Sequence, residues 1–232
     1  MNRLITMICM IIVVVPLSSA ASLPPGIPLF KYNSIQTDDP YLKQIILLPY
    51  HSFDELEAHN MIHRISKIDS SILQETMNNG VKLTLFTGKL TEQRGLDHLK
   101  GKRPEGYSRH DVTWDYVPGM GGGKIAYAKI GASDYGNGHS SINLELHELA
   151  HSIDKQVYSS IHNSPNFLEI WKKEAPVLFP NQPYLINYPE EYFAEAFALY
   201  HFNTQTNEYL KKHAHKTYLF MLELKNVSDS RE

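Results

Sequence analysis

Apolar and polar residues alternate over 81–87, which predicts a strand, whereas from residue 142 onward apolar positions recur at intervals of three and four and predict helices. Between these two regimes, 124–130 reads as a second strand and is followed by a glycine-rich turn ending near His139. The first half starts with a short apolar strand over 44–49. Ser52-Phe53-Asp54-Glu55 is then a capping-box pattern opening a helix to about residue 67. A second helix is expected over 70–78, stopped by Gly80, and the glycines, prolines and aromatics of 101–123 predict a long exposed loop. In the second half, helices are predicted over 142–160, over 165–174 with Ser164 as cap, over 189–201, and over 207–225. Proline suits the first helical position of two of them.

The longest apolar run, residues 4–17, follows Arg3 and precedes the small residues Ser18-Ser19-Ala20-Ala21. This is the layout of a secretory signal, and the run is shorter than the roughly 20 residues that span a bilayer. Residues 1–20 are therefore expected to be removed on export to the extracellular space. The proline-rich, polar stretch 21–40 is expected to be a flexible leader, 41–226 the folded domain and 227–232 a polar tail. A length of 232 residues fits one good-sized domain, and 42% hydrophobic residues suffice for a core. A net charge of -3 without a basic cluster argues against nucleic-acid or anionic-membrane partners. Cys9 lies in the segment to be removed, so the mature chain has no thiol, and its stability must come from an ordinary packed core, with a metal as the available supplement.

Chemistry enters at His147-Glu148-Leu149-Ala150-His151. Residues four apart share a helix face, so the two imidazoles can hold one metal ion between them. Glu148 beside them can accept a proton from a water whose pKa zinc lowers to about 7. A chance match on a surface helix is the bland alternative, but Leu144, Leu146, Leu149, Ala150 and Ile153 mark this helix as buried. His59 and His63 have the same spacing, lack the neighbouring glutamate and lie in a polar amphipathic helix, so a solvated face is expected there.

A catalytic zinc takes three protein ligands and keeps one position open. A histidine donor six residues after His151 is ruled out, because Asp154 and Val157 stand where that pattern needs Gly and His. A carboxylate from the segment 188–197 is the remaining source, and spacing leaves Glu190, Glu191 and Glu195 all open. Glu191 and Glu195 share one helix face, with Phe193 and Phe197 directed elsewhere.

At these two segments the sequence resembles the Pro-Pro endopeptidases, secreted bacterial relatives of the catalytic domain of anthrax lethal factor. The likeness covers most of the mature chain: 85–90 (LFTGKL), Thr113-Trp114-Asp115 with Val117-Pro118-Gly119, Gly121-Gly122, Gly138-His139, 142–151 (INLELHELAH) and 188–197 (YPEEYFAEAF). It implies a single zincin-like α+β domain, with a small N-terminal mixed sheet and helices and a mainly helical C-terminal lobe. It implies one zinc per chain held by His147, His151 and Glu191, Glu148 as general base and acid, and Tyr184 as the phenol that stabilises the oxyanion. Glu195 is implied to orient a ligand, and Asp154 is grouped with it in that supporting role.

The resemblance also implies a proline-rich protein or peptide substrate cut between two prolines; a monomer is the default expectation for the chain. A prolyl residue after the cut has no N-H for an edge strand and a fixed backbone, so a specialised cleft is needed. Gly121, Gly122 and Gly123 would let a kinked peptide approach the backbone. Tyr107, His139 and Glu190 complete the expected substrate-binding set, with Trp114 and Tyr116 as further flat faces for proline rings and packing within the loop as the equal alternative for Trp114. Two departures from the family are Tyr107 in place of a tryptophan and Glu105 in place of a lysine facing the carboxylate at Glu190, which removes a salt bridge between loops. A lethal-factor-like zinc peptidase with another bond preference and an inactive, zinc-stabilised binding module are the alternatives; intact Glu148 and Tyr184 argue against the second.

Overall fold

A computed structural model describes residues 25–104 and 112–229. The expected signal segment 1–20 and the loop residues Glu105 and Tyr107 lie outside the described residues. Chain order is β1 (Ile27–Pro28), α1 (Leu42–Ile45), β2 (Ile46–Leu48), α2 (Glu55–Ile65), α3 (Ser70–Asn78), β3 (Lys82–Phe86), β4 (Gly119–Met120) and β5 (Ile125–Lys129). The helices α4 (Leu144–Gln156), α5 (Pro165–Leu178), α6 (Pro183–Asn187), α7 (Pro189–Phe202), α8 (Thr204–His213) and α9 (His215–Asp229) follow.

The strands form one mixed sheet in the order β1-β2-β3-β5-β4. Its inner pairs, β2 with β3 and β3 with β5, are parallel, and its outer pairs are antiparallel. Alternation along the strands sorts the two faces. Leu83 and Leu85 of β3 and Ala126 and Ala128 of β5 face the main core, while Phe86 and Tyr127 build a second, smaller core with Leu90, Leu96 and Val117. The small alanines of β5 let α4 lie close to the sheet, and α4 in turn packs on α7, so the motif helix is held between strand and helix. Trp114 packs against the second core, whereas Tyr116 stays exposed with the Lys89 ammonium 5.7 Å from its ring centre.

The α+β expectation holds, and most elements fall where periodicity places them. The flexible leader does not hold for the described part of 21–40. Ile27 and Pro28 pair with Leu48 and Leu47, and Leu29 and Ile35 are only 2% and 3% exposed. Burying two aliphatic side chains stabilises by roughly 3–6 kcal/mol, which a mere proline-rich look hides. Asp39 then accepts hydrogen bonds from the backbone N-H of Tyr41 and Leu42, at 2.8 and 2.9 Å. That cap turns the start of the predicted strand 44–49 into α1. The single helix expected over 207–225 is two, broken at Ala214. The Glu174 carboxylate of α5 accepts from the N-H groups of Lys216 and Thr217, at 3.0 and 2.8 Å, and so caps α9 from outside its own sequence.

Candidate metal centre

Asn143 starts α4: its extended backbone stops the preceding chain and its side-chain oxygen accepts the Leu146 N-H at 3.1 Å. Four residues later His147, buried, and His151, one turn on, point the same way. Pro189 opens α7, a helix buried almost all round, and brings Glu191 from its first turn to the same spot. His147 Nε2, His151 Nε2 and Glu191 Oε2 form a triangle with sides of 3.2, 3.3 and 3.5 Å. Tetrahedral ligands bound at about 2.0–2.1 Å stand about 3.3–3.4 Å apart, so the donor set fits such a cation. Among the described residues this is the group of His, Cys, Asp and Glu donors that could hold a metal.

The spacing left three glutamates open, and the fold separates them. Glu191 supplies the oxygen of the triangle. Glu195, one turn on and 5% exposed, accepts from His147 Nδ1 at 3.1 Å through Oε2 and from the Ile142 N-H at 2.8 Å through Oε1. With Nδ1 carrying the proton, the Nε2 lone pair of His147 is free to face the triangle. Without a cation, burial alone would lower the His147 pKa, but the Glu191 and Glu195 carboxylates outweigh it and raise it to about 10; a bound cation takes the place of that second proton on Nε2. Burial would raise Glu191, and its hydrogen bonds to the two histidines keep it far below the usual carboxylate range instead. Burial does raise Glu148, against the pull of His147 and His151, toward the range useful for a proton acceptor.

Other expected site residues have different duties. Asp154 does not orient a metal donor. Both of its carboxylate oxygens are engaged by His162: Oδ1 accepts from the backbone N-H at 3.0 Å and Oδ2 hydrogen-bonds Nδ1. Both partners are buried, so the pair joins α4 to the turn after it. His139 has both ring nitrogens engaged within its own loop: Nε2 donates to Ala132 O at 2.7 Å and Nδ1 accepts from Ser141 N at 3.2 Å. It shapes the approach to α4 and offers no polar atom to a substrate. Gly121 and Gly122 meet the motif helix: a Cβ on Gly121 would lie 2.2 Å from Glu148 O, and the Gly122 N-H donates to Ser152 Oγ at 3.0 Å. A Cβ on Gly123 would make only an ordinary contact, 3.6 Å from the backbone oxygen of Ile125. Glu190 is half-buried at the start of α7.

Tyr184, the phenol implied by the resemblance, lies in the first turn of α6, with Pro183 at the first helical position. Its ring is 39% exposed and leans on that of Tyr188, 5.1 Å away. His59 and His63 are exposed on α2, as expected of a solvated face.

Two further features were not singled out from the sequence. Arg64 of α2 donates to Glu57 and to Ser133 Oγ, both at 2.7 Å, and to Glu145 at 2.5 Å, tying α2 to the first turn of α4. Asp115 accepts from Thr91 Oγ1, the Gly101 N-H and Thr113 Oγ1 at 2.8, 2.7 and 3.0 Å, and so knots the loop region beside β4. Its place in the quoted Thr113-Trp114-Asp115 motif was the available clue.

Comparison with known proteins agrees with this geometry. The family model described as anthrax toxin lethal factor, N- and C-terminal domain, matches residues 34–224. A Pro-Pro endopeptidase of Clostridioides difficile is 43% identical over 192 residues, 83% of this chain and 86% of that protein. A Pro-Pro endopeptidase of Paenibacillus alvei is 37% identical over 197 residues, 85% of this chain and 90% of that one. The solved structure of the Paenibacillus alvei Pro-Pro endopeptidase superposes with a TM-score of 0.74 at 38% identity, covering 78% of this chain and 97% of the other.

Proposed function

This chain belongs to the Pro-Pro endopeptidase family, and from that premise we propose that it is a secreted zinc endopeptidase that hydrolyses Pro-Pro bonds in proline-rich extracellular or cell-surface proteins. The observation that carries the reading is the 3.2 to 3.5 Å triangle of two imidazole nitrogens and a carboxylate oxygen, with Glu148 next to it on the same helix. Two neutral nitrogens and one carboxylate oxygen at tetrahedral spacing are a zinc donor set, and three protein donors leave a position open. Zinc bound there would polarise the scissile carbonyl and make a water acidic near neutral pH.

This chain's own groups carry the proton traffic. Glu148 takes a proton from the attacking water on a carboxylate oxygen and delivers it to the leaving prolyl nitrogen, which has no hydrogen of its own to begin with. Glu195 keeps His147 in the tautomer that presents Nε2 to the centre. Tyr184 donates its phenol hydrogen to the carbonyl oxygen as negative charge builds, an interaction stronger in the transition state than in the ground state. The apolar run 4–17 supports export, and the enzyme acts as a monomer after residues 1–20 are removed. Among the described residues no helix is long and apolar enough to cross a membrane.

The specificity is tested by incubating the mature protein with peptides that place Pro-Pro at the centre of varied flanks and reading products by mass. Cleavage between the prolines is expected; cleavage confined to other bonds would contradict the assignment. Glu148→Gln is expected to keep one metal per chain and lower kcat by orders of magnitude, and undiminished turnover would remove Glu148 from the base role.

A further inference from the structure

The strand β4 turns a bare face to the motif helix. Gly119 and Gly121, two residues apart, lie on the same side of the extended chain and meet the stripe Leu144, Glu148 and His151 of α4. The two glycines meet different kinds of atom. A Cβ on Gly121 would stand 2.2 Å from the backbone oxygen of Glu148 and 2.8 Å from His151 Cβ, so any side chain there must push the helix itself away. A Cβ on Gly119 would stand 2.7 Å from Glu148 Cγ, 2.8 Å from Glu148 Oε1 and 2.8 Å from Leu144 Cδ1. All three are side-chain atoms, which rotation about side-chain bonds can move while the backbone stays. Gly119 is itself fixed: it pairs with Ala128 of β5, and the Lys129 N-H donates to the neighbouring Pro118 O at 2.8 Å.

We propose that Gly119 is a positioning residue for the reaction: its bare Cα is the wall that fixes where the Glu148 carboxylate sits beside the metal triangle. The proposal rests on the reading of Glu148 as the proton acceptor. The space left by one absent methyl group selects one Glu148 rotamer, and with it the distance over which the proton moves. Gly121 does a separate job, admitting the α4 backbone to the sheet edge. A misplacement of about 1 Å in a reacting group can cost about a hundredfold in rate, so a methyl group at position 119 acts on kcat.

The test compares Gly119→Ala, Gly121→Ala, Glu148→Gln and the double variant Gly119→Ala/Glu148→Gln on one Pro-Pro peptide, with metal content and thermal midpoint measured for each. Gly119→Ala is expected to keep one metal per chain, a wild-type thermal midpoint and KM within about twofold, while kcat falls about a hundredfold. Gly121→Ala is expected to lower the thermal midpoint. In the Glu148→Gln background the Gly119→Ala change is expected to cost nothing further, because the group it displaces no longer takes the proton. A Gly119→Ala enzyme with wild-type kcat overturns the proposal. So does one whose metal content, thermal midpoint and kcat fall together, or a full additional loss in the double variant. Undiminished turnover by Glu148→Gln instead overturns the reading of the base, and is told apart because it does not involve position 119.

Discussion

Two helices carry histidines one turn apart, α2 with His59 and His63 and α4 with His147 and His151, and only one pair makes a site. Both His59 and His63 are exposed, and the described residues around them complete no group of donors at metal distance. His147 is buried, α7 brings Glu191 to within 3.3 and 3.5 Å of the two rings, and Glu195 fixes the tautomer of the first. The spacing is a property of the helix; the third donor and the orientation of the lone pair are properties of packing far along the chain. Burial is not sufficient either. His162 is buried against Asp154, and His201 is buried between Phe197 and Tyr200, with ring centres 4.4 and 4.9 Å away. What a histidine does follows from what its two nitrogens face.

The contrast breaks most sharply at the ligands. His147→Ala is expected to lose the metal and all measurable peptide cleavage while the helix remains, as read by elemental analysis and circular dichroism. Next in size is Asp154→Ala, which leaves His162 buried without its carboxylate. Leaving a buried polar group without its partner costs about 1–3 kcal/mol, so denaturant unfolding should register that loss while kcat per folded molecule is unchanged. A fall in metal affinity with unchanged stability would return Asp154 to the metal centre.

His201 predicts a pH effect of comparable size. Burial holds its pKa down to about 4, below the unfolded value of 6.5, so the unfolded chain binds the extra proton first. Stability from this residue is intact above pH 6.5, falls as pH drops toward 4 and is level below that, a loss on the order of 3 kcal/mol. His201→Phe should flatten the stability curve in that window relative to the parent protein. Glu195→Ala frees the His147 tautomer and should weaken metal affinity by about 10- to 100-fold, measured by competition with a chelator. At the end of the scale, the double change His59→Ala/His63→Ala should leave metal content and turnover as they are. Loss of metal there would contradict the comparison.

Much of the centre was legible because its parts are local. The two histidines and Glu148 sit in one helix turn, and the apolar residues around them announce burial. Glu191 against Glu195 was not decided by spacing, because both lie on one face of α7; the backbone N-H of Ile142, which claims Glu195, is 53 residues away. Asp154 was misread for the same reason, since its partner His162 lies beyond the left-handed turn at Ser159 and Ser160, where no helix periodicity extends. The strand and helix pattern of 70–87 was read well because propensity, caps and alternation agree there. It failed at 27–35, where two buried aliphatics are scattered among prolines and polar residues, and at Ala214, where the cap for α9 comes from Glu174. Glycine gave a partial signal: the run 121–123 suggested close approach, but the close neighbour is the motif helix, and Gly119 meets it as well.

The most direct test of the account is the metal content of purified, folded protein beside that of Glu191→Ala, each assayed on a Pro-Pro peptide before and after chelation. One zinc per chain in the parent, little or none in the variant, and cleavage abolished by chelation and restored by zinc are the predicted results. Cleavage that survives complete removal of the metal, or a variant that keeps full metal and full activity, would contradict it.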